Sequence, residues 1–217
     1  MTDINKKNAS IIISASWIFT SNSEDQLLSD YSIVIKDNKI IDLVRQSKVF
    51  SEYEADEIYQ LTDHILIPGL INTHTHAAMS LFKGFADDLP LQDWLNNYIW
   101  PAEKKFVNSS FVRDGSILAL SEMIKAGVTT FNDMYFYPDA TAEATIELGV
   151  RSNIGLVVLD FPTNYAADPE DYLSKGFEFR DRWRNEDLIT TSIAPHAPYS
   201  VSDEAFALIN TYSEELG

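Results

Sequence analysis

Helical stretches that stop at a glycine and run straight into an apolar strand recur along the second part of this chain, and that repeated phrase restricts its fold most. Between residues 109 and 126 the positions Val112, Gly115, Ala119, Met123 and Ala126 return at steps of three and four, the spacing of one helix face. Ser109 or Ser110 is the expected N-cap, and Gly127 ends the helix before a strand over 128–131. A helix over 141–148 stops at Gly149 ahead of a strand over 154–159, and another, from about 169 to 183, precedes a strand over 188–193. The last helix opens at Ser202, carries Asp203 and Glu204 in its first turn, and shows Phe206, Ile209, Tyr212 and Leu216 on one face before Gly217. Helices alternating with apolar strands predict a parallel sheet covered by helices.

The chain begins differently. Residues 11–19 read as a strand, and 32–35 and 40–44 flank an Asp37-Asn38 turn as a hairpin, so the region up to about Thr62 is expected to be all-β. The apolar run 65–72 is then the first strand of the α/β part. The expected organisation is a β layer over 1–64, part of a small β-sandwich, followed by four β/α units over 65–217. A fifth strand is expected to begin where the sequence stops. A closed (β/α)8 barrel takes about 250 residues, so 217 residues hold either the front half of one or a small open α/β sheet.

Composition narrows the function. With 45% hydrophobic and 12% aromatic residues the chain can bury a sizeable core. Sixteen basic against 33 acidic residues give a formal charge of −17, which repels phosphate backbones and anionic lipid, so neither nucleic acid nor membrane is expected as a partner. The opening residues contain no apolar leader and no run approaches about 20 uninterrupted apolar residues, which leads us to expect a cytoplasmic protein. Cysteine is absent, leaving imidazole and carboxylate as ligands for any metal.

His74-Thr75-His76 lies at the polar end of the apolar run 65–72. Alternate side chains of a strand share a face, so both imidazoles could grip one ion; two hydrogen-bonded rim histidines are the bland alternative, and the position at the strand end favours metal. Polar residues also stand at the ends of the later strands: Asn132 and Asp133, Asp160, and His196. The C-terminal rim of parallel strands is where such groups converge into sites. His196 could equally be structural, and His64, ahead of the first α/β strand, reads as structural. Glu103 reads by default as a solvated carboxylate at a helix start. Asp87 and Asp88 fit a loop, and Trp94 and Trp100, at helical spacing with Leu91, Leu95 and Ile99, fit a core.

The block Pro68-Gly69-Leu70-Ile71-Asn72-Thr73-His74-Thr75-His76 is followed by Met79, Leu81, Gly84, Asp87-Asp88-Leu89-Pro90-Leu91, Trp94-Leu95 and Pro101-Ala102-Glu103. In this it resembles the metal-dependent amidohydrolase superfamily. Within that superfamily it is similar to the 5-methylthioadenosine/S-adenosylhomocysteine deaminases, close to the triazine hydrolase branch. The resemblance runs to the end of the chain and covers about half of a usual member.

It implies an N-terminal β-sandwich part and the first half of a (β/α)8 barrel. His74 and His76 would be the first two ligands of one divalent ion, zinc foremost. Glu103 would bind the ribose hydroxyls of a small nucleoside, and His196 would contact substrate at the mouth of the fourth barrel strand. The family's remaining groups are a His of the fifth strand with a following Glu, a His of the sixth and an Asp of the eighth. None of them lies in this chain, so the chain alone is expected to lack a complete site. The implied reaction is hydrolytic deamination of an adenosine derivative with release of ammonia. Residues 159–165 contain no Arg to hold the carboxylate of S-adenosylhomocysteine, which favours 5′-methylthioadenosine. No Lys ends the fourth strand, which disfavours a carbamylated two-metal site. A triazine chlorohydrolase, a guanine deaminase and a non-catalytic half-barrel that binds a partner or forms a homo-oligomer are the alternatives.

Overall fold

The computed structural model of the protein describes residues 6–22, 24 and 26–216. The opening residues 1–5, read as carrying no leader, and Gly217, expected to end the last helix, lie outside the described residues. Contacts divide the chain into two compact units, Met1–Pro68 and Gly69–Gly217.

In the first unit β1 (Lys7–Phe19) is the organising strand. It pairs antiparallel with β2 (Leu27–Ser29) and β3 (Tyr31–Lys36), and β3 pairs antiparallel with β4 (Lys39–Arg45). Asp37 and Asn38 take φ of 49° and 62°, the left-handed pair that closes a two-residue hairpin. A short helix α1 (Gln46–Glu52) leads into β5 (Tyr53–Leu66), which pairs parallel with β1. Ala9, Ile12, Val34, Val44, Val49 and Tyr53 form this unit's core.

The second unit carries a four-stranded parallel sheet in the order β6 (Leu70–Thr75), β7 (Val128–Met134), β8 (Arg151–Val158), β9 (Ile189–Pro195). Between β6 and β7 lie a 3-10 segment Ala77–Phe82, α2 (Leu91–Trp94), a π-helical segment Leu95–Ile99, α3 (Trp100–Phe106) and α4 (Ser109–Lys125). Helix α5 (Pro138–Leu148) joins β7 to β8, α6 (Pro169–Trp183) joins β8 to β9, and α7 (Asp203–Leu216) follows. The second unit is therefore α/β with every strand of its sheet parallel. Gly149, at φ 70°, ends α5 through amide bonds to the Thr145 and Ile146 carbonyls. Asp168 caps α6, accepting from the Asp171 amide, with Pro169 at the first helical position.

Four expectations change. The apolar run 65–72 is not one strand: Ile65 and Leu66 finish β5 opposite Trp17 and Ile18, and β6 starts only at Leu70, after Pro68 has interrupted the ladder. The cap of α4 is Asn108, whose side chain accepts from the Phe111 amide, so the serines fall inside the helix. Ala126, placed on the buried face of that helix, is its exposed C-cap. On α7 the buried stripe is Ala205 and Ile209 with Leu208 and Tyr212 against it, while Phe206 and Leu216 are exposed. Among the described residues no helix is long and apolar enough to cross a membrane.

Candidate active site

His74 belongs to β6 and His76 follows it directly, capping the 3-10 segment. Their rings meet edge to face with centroids 5.1 Å apart, as two residues on one face of a strand should. His76 Nδ1 lies 2.7 Å from the Met134 carbonyl. A carbonyl can only accept, so Nδ1 carries the proton and Nε2 keeps its lone pair. An imidazole fixed this way by a backbone carbonyl is a common arrangement in ligating histidines. His76 Nε2 is therefore free to bind a divalent ion, with the His74 ring beside it. Among the described residues, however, no group of three His, Cys, Asp or Glu side chains is placed to hold one.

His76 opens onto a cavity of about 560 Å3 that also takes in Glu103 and His196, while His74 stands beside it outside the lining. Glu103 comes from α3, half-buried, and its Oε1 accepts a 2.7 Å bond from the Tyr135 hydroxyl. Burial pushes the Glu103 carboxyl above the usual carboxylate range, and the Tyr135 bond opposes that rise. His196, just past β9, places Nδ1 2.7 Å from Ser200 Oγ, which itself donates to the Ala197 carbonyl. That contact orients the ring in either tautomer. Burial, then the neighbouring His76, lowers the imidazole of His196 below its ordinary value.

The rim residues do not all converge. Asp160 is exposed and lies outside the cavity. Asp133 is 1% exposed and turns toward β6, where it accepts from the Thr75 hydroxyl and the Ala77 amide. Burial raises its carboxyl, against the pull of those two donors. Asn132 Nδ2 donates to the Thr73 carbonyl, and its Oδ1 accepts from Asn153. His64 is an exposed residue of β5.

Sequence reasoning missed four contributors. Trp94 and Trp100, read as core, are walls of the cavity, since only Leu95 and Ile99 of that helical stretch are buried. Tyr135, the partner of Glu103, stands one residue past β7, and its rim position was the available signal. Asn164 ties the loop after β8 to α3 by donating to the Lys104 and Val107 carbonyls, a role that no spacing announces.

Two imidazoles and a carboxylate gathered at the C-terminal rim of a parallel sheet are the kind of site that α/β enzymes build. The sequence profile of the amidohydrolase family matches residues 65–217, and the chain belongs to that family. It is similar to a 5-methylthioadenosine/S-adenosylhomocysteine deaminase of Saccharophagus degradans, 48% identical over 212 residues that make up 98% of this chain and 48% of the relative. It is also similar to a 5′-deoxyadenosine deaminase of Methanosarcina barkeri, at 40% identity over 96% of this chain and 47% of that one. An adenosine deaminase from Xanthomonas campestris, solved with bound zinc, superposes with a TM-score of 0.94 at 34% identity, covering 97% of this chain and 48% of its own. The chain spans about half the length of the curated relatives it matches.

Proposed function

We propose that these residues are part of a divalent-metal-dependent hydrolytic deaminase of adenosine derivatives, with residues 1–64 as part of its β-sandwich and 65–217 as four β/α units of its barrel. The observation that carries this reading is His76, its Nδ1 proton held by the Met134 carbonyl, beside His74 and at the mouth of a cavity holding Glu103 and His196. The names of the Saccharophagus and Methanosarcina relatives and the zinc in the Xanthomonas structure support the same reading.

His74 and His76 would hold the ion, for which zinc is the proposal. When bound, the ion supplies a Lewis acid and a water acidified toward neutrality. The residues of this chain do the rest of what can be assigned here. Glu103, anchored through Oε1 by Tyr135, offers its other oxygen to the vicinal hydroxyls of a ribose. His196, in the lining of the same cavity, would contact the substrate. Trp94, Trp100 and Phe161 supply apolar walls that keep water from the bound nucleoside. Net, one water is consumed and the exocyclic amine leaves as ammonia. The mainly apolar lining favours 5′-methylthioadenosine over a substrate with a charged amino-acid tail.

The test is ammonia release by the zinc-supplied protein of which these residues are part, offered 5′-methylthioadenosine, S-adenosylhomocysteine, guanine and a chlorotriazine. The expected order puts 5′-methylthioadenosine first. Preference for guanine or the triazine, or no turnover of any, would refute the assignment.

A further inference from the structure

The backbone ladder between β6 and β7 is irregular where the histidines stand: Asn72 pairs with Phe131, but the next matched pair is Thr75 with Asp133. Other bonds fill that gap. Asn132 Nδ2 donates to the Thr73 carbonyl at 3.1 Å, and His76 Nδ1 donates to the Met134 carbonyl at 2.7 Å. Between them Asp133 Oδ1 receives the Ala77 amide at 2.7 Å and lies 2.8 Å from Thr75 Oγ1, whose proton it shares with the Asn132 carbonyl. Three consecutive residues of β7 thus grip the segment 73–77. Asp133 touches the residues on both sides of His76 through one oxygen. His76 itself, at φ −123° and ψ 74°, follows neither strand nor 3-10 geometry, so its direction depends on how its neighbours are held.

We propose that Asp133 is the positioning residue of the imidazole pair: by binding Thr75 and Ala77 it fixes the backbone on either side of His76 and so aims Nε2 before any ion arrives. A carboxylate buried to 1% exposure beneath an exposed His74 and a half-buried His76 is costly unless its partners need it, and both partners flank His76. Its action is indirect, since it bonds neither ring. The inference rests on the reading of His76 as a ligand only in its consequence for metal affinity; the aiming of the ring is a property of the metal-free chain.

The experiment is side-chain 15N spectroscopy of the metal-free protein, recorded at about pH 8, above the ordinary imidazole range of free histidine. In the wild type His76 should show one fixed tautomer with the proton on Nδ1. Asp133→Ala should average the two tautomers of His76 and speed exchange of the Ala77 amide at least about tenfold, at retained fold. Asp133→Asn keeps an oxygen at Oδ1 and should restore the fixed tautomer. If Asp133→Ala fails to fold, Thr75→Val, which removes one of the two bonds, should still speed exchange at Ala77. A fixed wild-type tautomer in every folded variant, or an Asn variant as mobile as the Ala variant, would overturn the proposal. Zinc titration of the same samples separates the two readings: the Ala variant should bind about 10- to 100-fold more weakly. Absence of any zinc effect on wild-type His74 and His76 would refute the metal assignment and leave the tautomer result standing on its own.

Discussion

Tyr135 donates a 2.7 Å hydrogen bond to Glu103 Oε1, joining the end of β7 to α3 across the cavity and giving a half-buried carboxylate its protein partner. That bond stabilises the charged form of Glu103 against the burial that pushes its pKa up. Tyr135→Phe should therefore raise the Glu103 pKa further and cost about 1–3 kcal/mol at neutral pH, the range for leaving a buried acceptor unmatched. The loss should shrink as pH falls and Glu103 takes up its proton. Thermal melts of both proteins across pH check the size and the slope.

Glu103→Gln separates stability from recognition. Because the folded-state pKa is raised, the folded protein binds the proton more tightly, so the charged group lowers stability as pH rises from the unfolded pKa through the folded one. The Gln variant should then melt higher than wild type at neutral pH, and the gain should vanish in acid, where Glu103 is protonated in both states. If the proposed deaminase reading holds, the same change should raise KM for the nucleoside about 10- to 100-fold, the worth of a hydrogen bond to a charged acceptor. Steady-state kinetics against nucleosides with and without the ribose hydroxyls reads it.

Much of the α/β unit was legible because its punctuation is local. Asp168-Pro169 and Gly149 announce a helix start and a helix stop by chemistry that acts within one turn, and both fall where the spacing puts them. The boundary between the units was less legible, because Ile65, Leu66, Leu70 and Ile71 are equally apolar and only the pairing of β5 with β1 assigns the first two to the other sheet. The imidazole pair could be read from its i, i+2 spacing. What holds it could not, since Asp133 and Met134 reach His76 and its neighbours from 57 or so residues away in sequence through a register shift that no period encodes. The tryptophans mislead for a related reason: helical spacing predicts which face is buried, and a cavity wall looks the same as a core.

Gly115 gives a packing prediction tied to the site. A Cβ built there would sit 2.4 Å from the Ala78 carbonyl oxygen and 2.9 Å from Ala78 Cα, in the 3-10 segment that His76 caps. Gly115→Ala must push α4 away from that segment, costing about 1–3 kcal/mol. Chemical denaturation measures the loss, and the His76 tautomer should become mobile in the same variant.

The 217-residue chain on its own should show no turnover of 5′-methylthioadenosine with zinc added, because among the described residues two imidazoles stand without the further protein ligands a four-coordinate ion takes. Calorimetry should detect weak zinc binding that His74→Ala or His76→Ala removes. Turnover by the chain alone would show that its own side chains complete the site.

X-ray absorption at the zinc edge of the zinc-loaded protein tests the central claim most directly. The account predicts imidazole nitrogen at about 2.0–2.1 Å, with the imidazole signal reduced by one in His74→Ala and by one in His76→Ala. A zinc spectrum that neither substitution alters would mean that the ion sits elsewhere and that the rings of His74 and His76 are not its ligands.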